Sequence, residues 1–197
     1  MAAGVGLRER KKLQRRRQIE AAALELFARD GFDATTVETI AAACEIAPRT
    51  FFSYFATKDD LVLADYTDRL RRILDAFAAR PANEPAWEAL QAAFATIAAD
   101  FESQADELRA RFAIMATAPS VRARSLELQL GWEFALAERL AERADVADDA
   151  VAQLLAGTAL AIMRTTLRQW LTSPTGAHPP ELMRRGFALA GDGLHHL

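Results

Sequence analysis

A chain of 197 residues lies near the common size of a single domain, and with 51 % hydrophobic and 26 % charged residues it is neither disordered nor fibrous. Alanine fills 43 positions while tyrosine fills 2, a bias that favours helices and excludes an all-β fold. The net charge of −3 argues against a nucleic-acid partner only as a sum, because residues 1–60 carry +1, residues 61–197 carry −4, and residues 7–17 hold seven Lys/Arg against one Glu. A lone Cys44 makes no internal disulfide and suits a reducing compartment. The basic N-terminal residues are not followed by the apolar run of a signal peptide. The longest apolar stretch, 151–163, is interrupted by Gln153 and is too short to cross a bilayer. A cytoplasmic location without a membrane partner is the expectation.

In chain order, the first strong period is Ile19, Ala22, Ala23, Leu26, Phe27, one buried stripe of an amphipathic helix. Its polar face continues back through Arg15, Arg16 and Arg17, and Gly31 supplies the positive φ that ends it. Thr36 caps a short helix over 37–44, with Val37, Ile40 and Ala41 on one side. Glu45, Ile46 and Ala47 separate it from Pro48, which suits a first helical turn because its missing N–H has no intrahelical partner there. The third helix then covers 48–55. Thr57 caps a long fourth helix running from 58 to Pro81, with Asp59 and Asp60 in its first turn, where the helix dipole favours anions. Its inner face reads Tyr66, Leu70, Ile73, Phe77.

From there the pattern stays helical. Asn83 starts a helix with Trp87, Leu90, Phe94, Ile97 and Phe101 at heptad-like spacing. Another covers 105–116 and stops before Pro119. Ser120 caps a long one through Trp132 to 144, followed by helices over 148–171 and 180–190. The stretch 172–180, with Ser173, Pro174, Gly176 and Pro179, reads as a loop. The expected fold is all-α, with nine helices and no strand.

The search for catalytic chemistry is nearly empty. His178 sits in the Pro/Gly-rich loop, His195 and His196 near the end, and none has a carboxylate or Cys at ligand or triad spacing. No Gly-rich phosphate loop, H-E-x-x-H or paired-Cys motif is present, so neither an enzyme nor a metal or other cofactor is expected. The informative segment is 35–58, TTVETIAAACEIAPRTFFSYFATK. Two short helices joined by three residues make a helix-turn-helix, whose second helix enters the DNA major groove. Such a pair is also common in helical cores. The Thr cap, the Pro start, an Arg and Thr in the first turn, the aromatic cluster and the Lys favour the DNA-binding reading.

Over residues 15–61, including the Ile19–Ala22–Ala23–Leu26–Phe27–Gly31 lead-in, the chain resembles the TetR family of bacterial transcription regulators. PRTFFSYF and the Arg-for-Lys body resemble actinobacterial members, some of whose bodies are associated with acyl-CoA-like ligands. The resemblance implies a homodimer. Each subunit has a DNA-binding head, residues 1–57 with the N-terminal arm, and a ligand-binding, dimerising body, residues 58–197. The implied function is a ligand-responsive regulator, a repressor released from a pseudo-palindromic double-stranded operator by a small, largely apolar effector. An activator with the same head, or a helical interaction protein that never touches DNA, are the alternatives. The sequence departs from the family pattern at Glu45 and Arg49, where Gly is usual, at Ala47 in place of a Ser/Thr cap, and at Phe52 in place of a Tyr. A left-handed non-Gly residue costs roughly 1 kcal/mol, so a less strained turn is expected at Glu45.

Geometry and resemblance together assign the DNA contacts. Arg49 reads a base, since guanidinium pairs bidentately with guanine O6 and N7. Pro48 meets a thymine methyl, and Ser53 a base or phosphate. Thr36, Thr50, Tyr54 and Lys58 contact phosphates, Lys58 adding the exposed N–H groups of its helix start. Arg15 and Arg16, in the basic arm 10–17, lie along the backbone or enter a minor groove. Phe51 and Phe55 are assigned to core packing. In the body, Trp87, Phe94, Phe112, Met115, Trp132 and Thr166 are the pocket candidates, with Arg111 or Arg164 for an anionic group. The helix over 148–171 is apolar on more than one side, so a partner should cover it. The family resemblance places it and the last helix in the dimer interface, through Leu155, Ile162, Trp170, Met183 and Phe187.

Overall fold

The computed structural model describes residues 6–173 and 178–193. Pro174 and Gly176 of the expected loop, and His195 and His196, lie outside the described residues. The described chain is all-α, without a strand: α1 (Leu7–Asp30), α2 (Val37–Ala43), α3 (Pro48–Phe51), α4 (Lys58–Val62), α5 (Ala64–Ala78), α6 (Ala86–Ala98), α7 (Ala105–Thr117), α8 (Pro119–Ala141), α9 (Asp149–Thr172) and α10 (Pro179–Gly191). It divides into two compact units, one of Met1–Ala64 with Ala110–Arg124, the other of Asp65–Arg109 with Ser125–Leu197. The chain passes between them at the start of α5 and within α7 and α8.

The first unit is built on the predicted stripe. Ile19, Ala23, Leu26 and Phe27 of α1 are buried together with Ile40, Phe51, Phe55 and Leu61. Gly31, at φ 87°, ends α1 and donates its N–H to Phe27 O at 3.0 Å. Arg8, Arg10, Lys11, Lys12 and Arg15–Arg17 belong to α1 itself, so from Leu7 onward the arm is helical. Thr36 caps α2, accepting from Thr39 N at 3.1 Å, and Thr57 caps α4, accepting from Asp60 N at 3.0 Å.

Four expected boundaries move. The third helix ends at Phe51, because the next amides, of Ser53 and Tyr54, bond three residues back and tighten the turn. The long fourth helix breaks at Leu63 into α4 and α5, where arginine side chains take carbonyls that the helix ladder would otherwise use. The helix expected from Asn83 begins at Ala86, after Pro85, with its first amide held by Asp145 Oδ2 at 2.6 Å. Ser120 lies inside α8, which starts at Pro119.

The second unit has its core where α6, α9 and α10 meet, around the fully buried Phe94 and Phe187. Asp148, at the expected start of the helix, caps α9, accepting from Val151 N at 2.9 Å. Gly186 marks a close approach of α9 and α10: a Cβ there would stand 2.6 Å from Ile162 Cγ2.

Candidate nucleic-acid interface and effector body

The turn between α2 and α3 is set by backbone chemistry. Ile46 N–H donates to Ala41 O at 2.9 Å and Glu45 N–H to Ala42 O at 3.1 Å, the double bond of a Schellman cap. Glu45 itself takes φ 53°, so the less strained turn expected there is not adopted and the residue pays the left-handed cost. Ile46 and Ala47 then lead into α3. Pro48 and Arg49 are exposed on its first turn, Thr50 and Tyr54 are half-buried, and Ser53 is exposed. Among the described residues the Arg49 side chain has no hydrogen-bond or ion-pair partner, which leaves its five donors available for a base edge. Ser53 Oγ donates to Thr50 O at 2.6 Å and Thr36 Oγ1 is engaged in its cap, so both reach DNA only with their remaining capacity. Phe51 and Phe55 are buried at 5.5 Å between centroids, as expected, and anchor α3 to the head. Phe52, 54 % exposed, is an aromatic face on the same surface that residue-by-residue assignment left without a role.

Three expected phosphate or groove contacts have other occupations. Lys58 turns inward: its Nζ donates to Phe32 O at 2.6 Å and Thr35 O at 2.9 Å and lies 4.1 Å from the Phe32 ring centroid. Its charge thus holds the α1–α2 connection. Arg16 donates to Glu20 at 3.0 Å and to Ala64 O at 3.1 Å, with its guanidinium over the Phe55 ring. Arg15 donates to Cys44 O at 3.3 Å, tying α1 to the end of α2. Burial pushes the Cys44 thiol above its usual pKa, with Arg15 pulling the other way. The basic residues left facing solvent in the N-terminal half of α1 are Arg8, Arg10, Lys11, Lys12 and Arg17.

The body candidates fall into both units. Arg111, offered for an anionic effector group, is buried in the first unit and committed to Leu61 O, Val62 O and Glu20; Phe112 and Met115, in the same unit, are half-buried. In the second unit Phe94 packs on Phe187, and Trp87 donates Nε1 to Phe187 O at 3.2 Å. Trp132 lies 5.4 Å from the Tyr66 ring and Thr166 is buried on the inner face of α9, while Arg164 is exposed. The cation that sequence reasoning missed is Arg69. It is 6 % exposed, paired to Asp65, and set over the rings of Tyr66 and Phe101. The signal was its place three residues after Tyr66, on the predicted inner stripe. Asp65 Oδ1 beside it is buried without a partner. Burial, foremost, holds the Tyr66 hydroxyl above its ordinary pKa, Asp65 adding and Arg69 and Arg164 opposing. Of the expected dimer residues, Met183 and Phe187 face their own core; Leu155, Ile162 and Trp170 are half-buried.

A short exposed α3 carrying an unpaired Arg, positioned by a capped α2 and backed by an aromatic core, is the architecture of a helix-turn-helix DNA-binding protein. The model of bacterial regulatory proteins of the tetR family matches residues 19–64, and the model of the MftR C-terminal domain, within the same group, matches residues 84–195. The chain is 34 % identical over 175 residues to the HTH-type transcriptional regulator TcmR of Streptomyces glaucescens, covering 85 % of this chain and 77 % of that protein. It is 28 % identical to the mycofactocin biosynthesis transcriptional regulator MftR of Mycobacterium tuberculosis, over 91 % of this chain and 90 % of that one. Among solved structures, FadR of Thermus thermophilus in complex with lauroyl-CoA is 25 % identical, with a TM-score of 0.57, over 91 % of this chain and 94 % of that one. The chain belongs to the TetR family and is a DNA-binding transcriptional regulator.

Proposed function

We propose that the protein is a cytoplasmic, homodimeric repressor that binds a pseudo-palindromic operator and leaves it when a largely apolar effector, such as an acyl thioester, occupies the body. The observation that carries the operator reading is Arg49, exposed on the first turn of α3 and without a partner among the described residues. In a dimer two such helices enter successive major grooves roughly 34–36 Å apart. Arg49 and Pro48 read bases, while Thr36, Thr50, Ser53 and Tyr54 supply backbone contacts. Effector binding displaces the fourth helix and spoils the spacing, which requires that the effector prefer the released state.

The second copy is supported by α9. Over its most apolar 18-residue window the mean hydropathy is 1.4, yet only 33 % of that window is buried within the chain. Its uncovered side, with Leu154 at 69 % exposure, continues into an open groove of about 490 Å³ between α9 and α10 that includes Thr158, Ala161, Ile162, Thr165 and Leu189. An apolar helix face of this kind requires cover. Ile162, at half burial, remains an interface residue in this reading, whereas Met183 and Phe187 support it from behind.

The proposed site for an apolar effector with one anionic or carbonyl group is the aromatic cluster of Tyr66, Phe101, Trp132 and Trp170 beside the buried Arg69. The lauroyl-CoA held by the Thermus thermophilus relative points to the same class. Titrating lauroyl-CoA into the protein–operator complex tests the coupling. Release of DNA at saturating ligand is expected; calorimetric binding of lauroyl-CoA with unchanged operator affinity refutes it.

A further inference from the structure

Two arginines converge on α4 and a third on the residue that opens α5. Arg111, 4 % exposed, donates through Nη1 to Leu61 O at 2.8 Å and to Val62 O, and through Nη2 to Glu20 Oε2 at 3.1 Å. Arg124 Nε donates to Asp60 Oδ1 at 2.9 Å, on the first turn of the same helix. From α1, Arg16 donates to the other oxygen of Glu20, Oε1, and to Ala64 O.

A five-residue helix cannot hold its own place, because nucleation costs more than so few hydrogen bonds return. The last carbonyls of α4 have no intrahelical partner, and guanidinium donors there satisfy them and complement the helix dipole. Glu20 makes this arrangement tolerable. Neutral carbonyls alone would leave Arg111 an uncompensated buried cation, whereas the shared carboxylate pairs it and joins it to α1. The two arginines also occupy particular places in the chain. The first unit takes up α7 from Ala110 and α8 up to Arg124, so Arg111 and Arg124 stand at the points where those helices enter and leave it.

We propose that Arg111, paired to Glu20 and seconded by Arg124, is the positioning residue that fixes α4 against α1 and thereby sets the operator affinity of the head. The proposal rests on DNA binding by the family and not on any effector. A misplaced α4 disturbs the aim of α3, which specific binding needs, and leaves the basic surface that supports non-specific binding.

The test uses the full chain and two duplexes of about 30 base pairs, one enriched by the wild-type protein from a random pool and one scrambled. Arg111→Met and Glu20→Gln should each lower affinity for the enriched duplex about tenfold or more, and change affinity for the scrambled duplex by less than about twofold. The double variant should be no worse than Arg111→Met alone, and Arg111→Lys, which keeps the charge but not the fork, should recover part of the loss. Unchanged binding of the enriched duplex, equal losses on both duplexes, or additive losses in the double variant would each overturn the proposal. Should Arg111→Met fail to fold, Glu20→Gln and Arg111→Lys, checked for native helicity, decide by the same ratio of enriched to scrambled affinity: a wild-type ratio in both overturns the proposal, a reduced one supports it.

Discussion

Replacing Lys58 by Met separates two roles that its position alone cannot. Met keeps most of the apolar stem and removes the ammonium that lies 2.6 Å from Phe32 O, 2.9 Å from Thr35 O and 4.1 Å from the Phe32 ring centroid. Hydrogen bonds from a charged donor contribute about 1.5–3 kcal/mol each and an exposed cation–π contact about 0.5–1 kcal/mol. Lys58 is only half-buried, so water replaces part of what is lost, and the expected loss is about 2–3 kcal/mol. Urea unfolding followed by circular dichroism reads that loss. Fluorescence anisotropy on an operator duplex at several salt concentrations reads the other role. A phosphate ligand would contribute about 0.9 to the slope of log K against log salt, or about 1.8 for a dimer. The inward geometry predicts a lower unfolding midpoint with the slope unchanged. Native stability combined with a slope reduced by about 1.8 would refute the assignment of Lys58 as a clamp on the α1–α2 connection.

Further outcomes follow from single sites. Arg49→Ala should weaken operator binding by about 1–3 kcal/mol per half-site, relax discrimination at one base position and leave the thermal midpoint in place. Glu45→Gly relieves the left-handed strain at φ 53° against the greater freedom of an unfolded glycine, and a net gain of about 0.5–1 kcal/mol is expected in urea. Gly186→Ala sets a Cβ 2.6 Å from a branch of Ile162 that cannot swing away alone. Overpacking of about 1–3 kcal/mol exceeds the roughly 1 kcal/mol gained in helix propensity, so the body should melt earlier.

What could be read from the sequence was local. The alanine-rich periods gave the helices, and Thr36 and Thr57 could be named as caps because a cap is decided within three residues. Phe51 and Phe55 could be assigned to the core from their spacing. What escaped was decided by groups distant in sequence. The break at Leu63 depends on Arg16 and Arg111, which reach carbonyls 48 to 50 residues away. The inward turn of Lys58 depends on carbonyls more than twenty residues earlier. Arg111 looked like a ligand cation because a buried arginine on an apolar helix has no local partner; its partners are Glu20 and the end of α4. Met183 and Phe187 were rightly read as apolar, but periodicity does not say which of two partners, α6 or a second copy, a face meets.

In the proposed function, α3 reads a defined operator as one of a symmetric pair. Equilibrium binding at one fixed salt concentration, comparing a pseudo-palindromic duplex selected by the protein with a scrambled duplex, tests it most directly. A ratio of about 10³ or more in favour of the selected duplex, at two chains per duplex and with half-sites about 10 base pairs apart, is the predicted result. Equal affinity for the two duplexes would contradict it.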